Sequence, residues 1–222
     1  MTTTKVQNDY QVDRRATSHV RNRYSLFSHV YDIMEWPIER WAYQDWRKQL
    51  WAGLPSGDIL EIGAGTGKNI PYYRSDMEIA AIDLTPAMLG RYEKRLKANP
   101  VEDIHAVPVI MDAQDLTFED DTFDAVVATF VFCSVPDPVR GLSDALRVTR
   151  PGGELHLLEH MAADSSGLRG FMRELDRPFH YLTGVHIARE TVANVQKSGW
   201  TIESIQVLNG SGIFKKIVAR KV

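Results

Sequence analysis

The chain is poor in cysteine: Cys133 is the single one among 222 residues. That excludes an intramolecular disulfide framework and any multi-cysteine zinc site. It also lacks an uninterrupted apolar run of about 18 residues, so the sequence predicts no membrane-spanning helix. Charge of one sign is missing too. Lys and Arg total 26 against 29 Asp and Glu, for a formal net charge of −3, and no global basic field marks the chain as a nucleic-acid binder. The opening residues, MTTTKVQNDYQVDRR, contain no apolar stretch of the kind a secretory signal needs. There are no internal repeats and no low-complexity tracts. These absences point to a cytoplasmic globular protein, and the length suits one domain with a full core.

What is present divides the chain near residue 50. Residues 1 to 23 are polar and locally basic, with Lys5, Arg14, Arg15, Arg21 and Arg23 against Asp9 and Asp13. They read as a mobile arm, a lid, or an arm that touches a negatively charged surface. From Tyr24 to Trp51 aromatics crowd together. Ile38, Ala42, Trp46 and Leu50 recur every four residues, with Trp41 beside them, which predicts an amphipathic helix entered at Pro37. The expected division is an N-terminal arm and helical lid over 1–50, then the main domain over 51–222.

Beyond the GLPSG break at 53–57, strand and helix signals alternate. Strands are expected at Asp58–Ile62, Glu78–Asp83, Val107–Met111, Phe123–Thr129 and Glu154–Leu158. Thr85-Pro86 starts a helix carrying Leu89, Tyr92 and Leu96, and Asp137-Pro138 starts another carrying Leu142, Ala145 and Leu146. Pro151-Gly152-Gly153 is expected to turn the chain into the fifth strand. Ile202–Leu208 and Ile213–Val222, joined by Asn209-Gly210-Ser211-Gly212, read as an antiparallel hairpin at one edge. The expectation is an α/β fold with a doubly wound, mostly parallel sheet, a C-terminal hairpin and an N-terminal helical extension.

The most informative segment is ILEIGAGTGKN at 59–69, where a strand runs directly into Gly63, Gly65 and Gly67. Glycines there permit a sharp turn and a close approach of ligand to backbone. Asp83 ends the following strand, where a carboxylate can accept from both hydroxyls of a ribose. The spacing is not that of a phosphate-binding P-loop, because Lys68 is followed by Asn69. It also departs from G-x-G-x-x-G, because Gly67 comes one residue too soon, and that argues against NAD and FAD.

Glu61-x-Gly63-x-Gly65-x-Gly67 resembles the glycine motif of class I S-adenosylmethionine-dependent methyltransferases. IDLTPAML (82–89), MDAQDLTFEDDTFDAVV (111–127) and LRVTRPGGELHLLE (146–159) are similar to the motifs that follow it in that family. The resemblance implies a seven-stranded Rossmann-like sheet, S-adenosylmethionine as cofactor and S-adenosylhomocysteine as product. It implies cofactor contacts from Glu61, Gly63, Ala64, Gly65, Gly67, Asn69, Asp83, Leu84, Met88, Asp112, Ala113, Gln114, Thr129 and Phe130. Asp83 would hold the ribose, Leu84 would lie beside the adenine, Asp112 would hold its amino group and Ala113 would present its backbone. No metal is expected: His156 and His160 are four apart, but His156 falls inside a predicted strand, where that separation is about 13 Å.

RYSLFSHVYDIMEW (23–36) resembles the entry helix of the ubiquinone/menaquinone methyltransferase-like subgroup, which includes bacterial phosphatidylethanolamine N-methyltransferases and the methyltransferase-like 7 thiol methyltransferases. Tyr24 and Tyr31 would then sit near the sulfonium, or simply pack. FVFCSVPDP (130–138), LEHMAAD (158–164) and LDRPFHYLTGVHIARET (175–191) are similar to the thiol and phospholipid enzymes. The implied acceptor is a small lipophilic molecule, an alkyl thiol or the amine of phosphatidylethanolamine, with a quinone precursor as the alternative. A different class of reading is an S-adenosylmethionine-binding module without catalysis. A thiol must lose a proton, and His160, His180 or His186 are candidate bases. Cys133 is expected to line the pocket. Peripheral membrane contact is open through the basic, aromatic first 50 residues, and no nucleic-acid partner is expected.

Overall fold

A computed structural model describes residues 17–18, 43–98 and 103–222. Within these, helix α1 spans Gln44–Ala52 and leads into strand β1, Gly57–Ile62. The start that the sequence predicts for α1 at Pro37 lies outside the described residues, as do Tyr24 and Tyr31. After β1 come a short 3-10 turn at Ile70–Tyr72, β2 at Met77–Asp83, α2 at Pro86–Ala98, β3 at His105–Ile110 and β4 at Phe123–Thr129. Then follow α3 at Pro138–Val148, β5 at Thr149–His160, α4 at Ser166–Thr183, α5 at Thr191–Lys197, β6 at Thr201–Val207 and β7 at Phe214–Arg220.

The strands form one sheet in the order β3-β2-β1-β4-β5-β7-β6. The first five are parallel, and β7 inserts antiparallel between β5 and β6. The order reverses between β1 and β4, which makes their carboxyl ends the switch point where ligands bind in such sheets. Strand alternation divides the core. Leu60 and Ile62 face α3 and α5, packing with Leu142, Ala145 and Val195. Ile59 faces the other layer, with Leu50 and Trp51 of α1 and Leu89 and Tyr92 of α2.

Local chemistry explains the helix starts. Asp137 accepts from Arg140 N at 3.0 Å while Pro138 fills the first helical position of α3. Two expectations are corrected. The Pro151-Gly152-Gly153 stretch does not simply precede β5. The strand begins at Thr149, opposite Phe123, and the four residues 150–153 stand against Asp124 alone before pairing resumes at Glu154 opposite Ala125. This is a bulge. It exists because Gly153 lets the chains touch: a Cβ there would meet Asp124 O at 2.8 Å. The sequence also reads no helix between residues 165 and 183, yet α4 runs there with Pro178 inside it.

Candidate active site

The cavity at the switch point bounds about 1020 Å³ of space, counting its open mouth. Gly63, Ala64, Gly65, Asn69, Asp83, Leu84, Met88, Asp112, Ala113, Gln114, Thr129 and Phe130 all line it. These are residues that the motifs single out, brought together from four strand ends. Glu61 and Gly67 do not reach it. Glu61 is fully buried beneath the loop, where Asn69 Nδ2 donates to it at 2.6 Å and the Tyr73 hydroxyl donates to its other oxygen. Gly67 lies in the left-handed region (φ 81°), and the space over it is filled by Ile70 and Tyr92.

The glycine loop fits a nucleoside for a structural reason. A Cβ on Gly63 would strike Val131 Cγ2 at 2.4 Å, so that glycine serves packing. A Cβ on Gly65 would meet only Gly63 O at 3.9 Å and would instead occupy cavity space, with φ at 56°. Opposite it, Asp83 accepts from Gly65 N at 3.0 Å and from Thr85 N at 2.8 Å, one bond to each oxygen. Burial pushes its pKa up, and these two N–H groups oppose that rise. The carboxylate is thus fixed in place with lone pairs left for a ligand. Asp112 is held similarly, accepting from Gln114 N at 2.9 Å, and Gln114 Oε1 in turn accepts from Asp137 N at 2.9 Å. From the N-terminal segment, Thr17 donates to Asp112 Oδ2 and accepts from Gln114 Nε2, both at 3.3 Å.

Sequence reasoning missed Arg47. This cation of α1 is buried yet lines the cavity, donating to Asn69 Oδ1 at 2.9 Å and Thr129 Oγ1 at 2.7 Å, with its guanidinium 5.3 Å from the Phe130 ring centre. No motif flags it, because its partners are 22 and 82 residues away. A polar residue interrupting the buried face of an aromatic helix is the only local signal. Ser134, Val135 and Pro136 were missed as cavity wall for a similar reason: they belong to a turn, not to a pattern.

Phe130 closes the far end. It holds a left-handed backbone (φ 59°), and its ring lies 4.7 Å from Tyr43 and 6.1 Å from Phe214, with Trp46 5.3 Å from Phe214. His160 lies at the end of β5, half-buried, 6.3 Å from the Phe214 ring. It is not among the residues lining the cavity, and burial pulls its pKa down. Cys133 is buried beside this turn, its thiol 3.6 Å from Phe130 O, and it does not line the cavity either.

A parallel sheet of this order, with a nucleoside cavity at its switch point and its last strand reversed, is the class I methyltransferase architecture. Comparison with known proteins narrows the class. Residues 60–157 match the methyltransferase domain family. The chain is 32% identical over 166 residues to a phosphatidylethanolamine N-methyltransferase of Cereibacter sphaeroides, covering 70% of this chain and 81% of that one. It is also 32% identical over 160 residues to a thiol S-methyltransferase of Homo sapiens, covering 68% of this chain but under two thirds, 64%, of that one. A solved S-adenosylmethionine-dependent methyltransferase of Thermotoga maritima superposes with a TM-score of 0.67 at 20% identity, over 90% of this chain and 99% of that one. The chain belongs to the S-adenosylmethionine-dependent methyltransferases, and S-adenosylmethionine is its cofactor. No described helix is long and apolar enough to cross a membrane.

Proposed function

We propose that this enzyme methylates a small lipophilic acceptor, an alkyl thiol or the amine of a phospholipid. The observation that carries this reading is the aromatic group of Tyr43, Trp46, Phe130 and Phe214, in which Phe130 lines the cavity and the other three pack behind it. Such a surface suits an apolar acceptor and excludes water from the reacting atoms. The relatives named above, acting on a phospholipid amine and on thiols, support the same reading.

Bound S-adenosylmethionine supplies an electrophilic methyl group on a sulfonium. In this proposal Asp83 accepts from the ribose hydroxyls and Leu84 and Met88 flank the adenine. Asp112 faces its amino group, Ala113 presents its backbone and Gly65 admits the ligand close to the loop. Arg47, Asn69 and Thr129 form one linked group beneath the amino-acid tail. Phe130, Val131 and the aromatic group orient the acceptor, so that much of the rate comes from positioning. Residues 1–50 serve as an arm and lid, which the contacts of Thr17 with Asp112 and Gln114 support.

The test is transfer of label from methyl-tritiated S-adenosylmethionine to octanethiol and, in parallel, to phosphatidylethanolamine liposomes. Label in thioether or in lipid is the expected result. Label in neither overturns the acceptor reading and turns attention to quinone precursors.

A further inference from the structure

The backbone of the cavity wall is unusual where β4 ends. None of His160, His180 and His186 is among the residues lining the cavity, whereas Phe130, Val131, Ser134 and Val135 are. Among the described residues, three other than glycine have positive φ: Asp103, Asp121 and Phe130. The two aspartates suit that region, because a short polar side chain can bond locally there. Phe130, with φ at 59°, has no such compensation. A bulky residue keeps this conformation only when its surroundings hold it, and such residues cluster where a site needs a side chain aimed.

The hold comes from the end of β5, on both sides of the residue. Phe130 N donates to Leu158 O at 2.8 Å. Val131 N and Phe132 N then donate to one oxygen of the next residue in β5, the fully buried Glu159, at 2.8 and 2.9 Å. A peptide group is planar, so the bonds of Phe130 N and Val131 N fix the planes on either side of the Phe130 Cα and with them both of its torsions. The turn beyond closes on itself, since Ser134 N and the Ser134 hydroxyl both donate to Val131 O at 2.9 Å. Val131 is pressed against the glycine loop, where a Cβ on Gly63 would meet its Cγ2 at 2.4 Å. The result is a Phe130 ring that lines the cavity, backed by Tyr43 at 4.7 Å and the Arg47 guanidinium at 5.3 Å. In extended backbone the same side chain would leave its Cα in another direction.

We infer that Glu159 is a positioning residue for methyl transfer: by gripping the N–H groups of Val131 and Phe132 it holds Phe130 in the left-handed conformation that aims its ring at the acceptor. This rests on the function proposed above and deepens it, because it names the contact that sets where a lipophilic acceptor lies. Glu159 touches neither acceptor nor cofactor and acts through Phe130. What the role demands of Glu159 is reach, an oxygen at the distance of the two N–H groups, and not charge.

The experiment separates reach from charge. Glu159→Asp keeps the carboxyl group but withdraws it by one methylene, while Glu159→Gln keeps the length and an acceptor oxygen. Glu159→Asn, equally short and uncharged, provides the second measurement should the buried charge keep Glu159→Asp from folding. Each is assayed at pH 7 with octanethiol and with phosphatidylethanolamine liposomes, and binding of S-adenosylhomocysteine within about threefold of wild type shows that the variant is folded. The short variants should lose about 10- to 100-fold in kcat/KM for the acceptor, with a raised acceptor KM and an unchanged KM for S-adenosylmethionine. Glu159→Gln should restore most of that loss. In a Phe130→Ala background the short variants should cost little more, since the ring they misplace is already gone. Short variants that keep wild-type kcat/KM would overturn the inference and leave the proposed function standing. So would a Glu159→Gln as impaired as they are, or losses that simply multiply with that of Phe130→Ala. A wild type silent towards both acceptors would overturn the proposed function and this inference with it.

Discussion

Glu159, at the end of β5, holds the cavity wall with a carboxyl group that is fully buried. One of its oxygens accepts from Val131 N at 2.8 Å and from Phe132 N at 2.9 Å. The other has no hydrogen-bond partner among the described residues. Burial raises its pKa to about 7, against the N–H groups of the turn and the charge of Arg189, which pull it down. The unfolded chain releases this proton near pH 4.5, so between pH 4.5 and 7 the native state binds more protons than the unfolded one. Stability contributed by the neutral group is complete below that window and is lost as pH rises through it, by about 3 kcal/mol. Glu159→Gln keeps an oxygen for Val131 and Phe132 and cannot ionise. Urea unfolding at pH 5 and pH 8 should show the variant gaining on wild type by about that amount at the higher pH; parallel pH dependences would refute it. Nothing in the sequence marks Glu159 this way, because its partners come from a turn 27 and 28 residues earlier. Asp83 and Asp112 were legible for the opposite reason: Asp83 ends its own strand after the glycine loop, and Asp112 falls in a segment that resembles a motif of the family.

At the level of elements, boundaries were legible wherever a side chain announces them. Asp137-Pro138 starts α3 as the cap chemistry requires, and Phe123–Thr129 forms β4 over the residues expected. Helix α4 was hidden by its own composition, since Gly167, Gly170 and Pro178 are read as breakers. The helix survives them because Met172 is buried against the domain, and because Arg169 ties its first turn to Ala163 O at 2.9 Å. The bulge before Glu154 escaped for another reason. A Pro-Gly-Gly sequence signals a turn, but whether that turn leaves the sheet or stays in it depends on the neighbouring strand. Gly153 decides it through steric room, with Asp124 O at 2.8 Å and Thr149 Cγ2 at 2.6 Å from the position a Cβ would take. Gly153→Ala should therefore cost about 1–3 kcal/mol in urea unfolding. The bulge lies at the end of β5 remote from the cavity, so affinity for S-adenosylhomocysteine should be unchanged. A loss of affinity without a loss of stability would show that the bulge acts on the site instead.

For the molecule as a whole, alternation of strands and helices was enough to foresee a doubly wound sheet, because right-handed crossovers leave few arrangements open. The insertion of β7 between β5 and β6 was not foreseeable from the hairpin itself. A hairpin specifies that its two strands pair, and only the Glu154↔Arg220 to His160↔Phe214 register says which of them meets β5. That register brings Phe214 beside Phe130 and His160, so the last strand of the chain packs behind the wall that Phe130 forms after β4. Thr17 reaches the Asp112 side of the same cavity. Thr17 stands between Asp112 and Gln114, joined to each by a bond of 3.3 Å across more than 90 residues of sequence. Among the described residues, neither core layer includes it, and both are built from Leu50 onward. Deleting residues 1–35 should accordingly leave the unfolding free energy within about 1 kcal/mol of the full chain. It should weaken S-adenosylhomocysteine binding about tenfold, because Asp112 and Gln114 lose the side chain that fixes them before the ligand arrives, and reduce methyl transfer further, because an open cavity admits water to the reacting atoms. Isothermal titration and urea unfolding on the same preparations separate the two effects. Unchanged affinity with unchanged turnover would mean that the arm lies beside the cavity without closing it, whereas a collapse of stability would make it part of the fold.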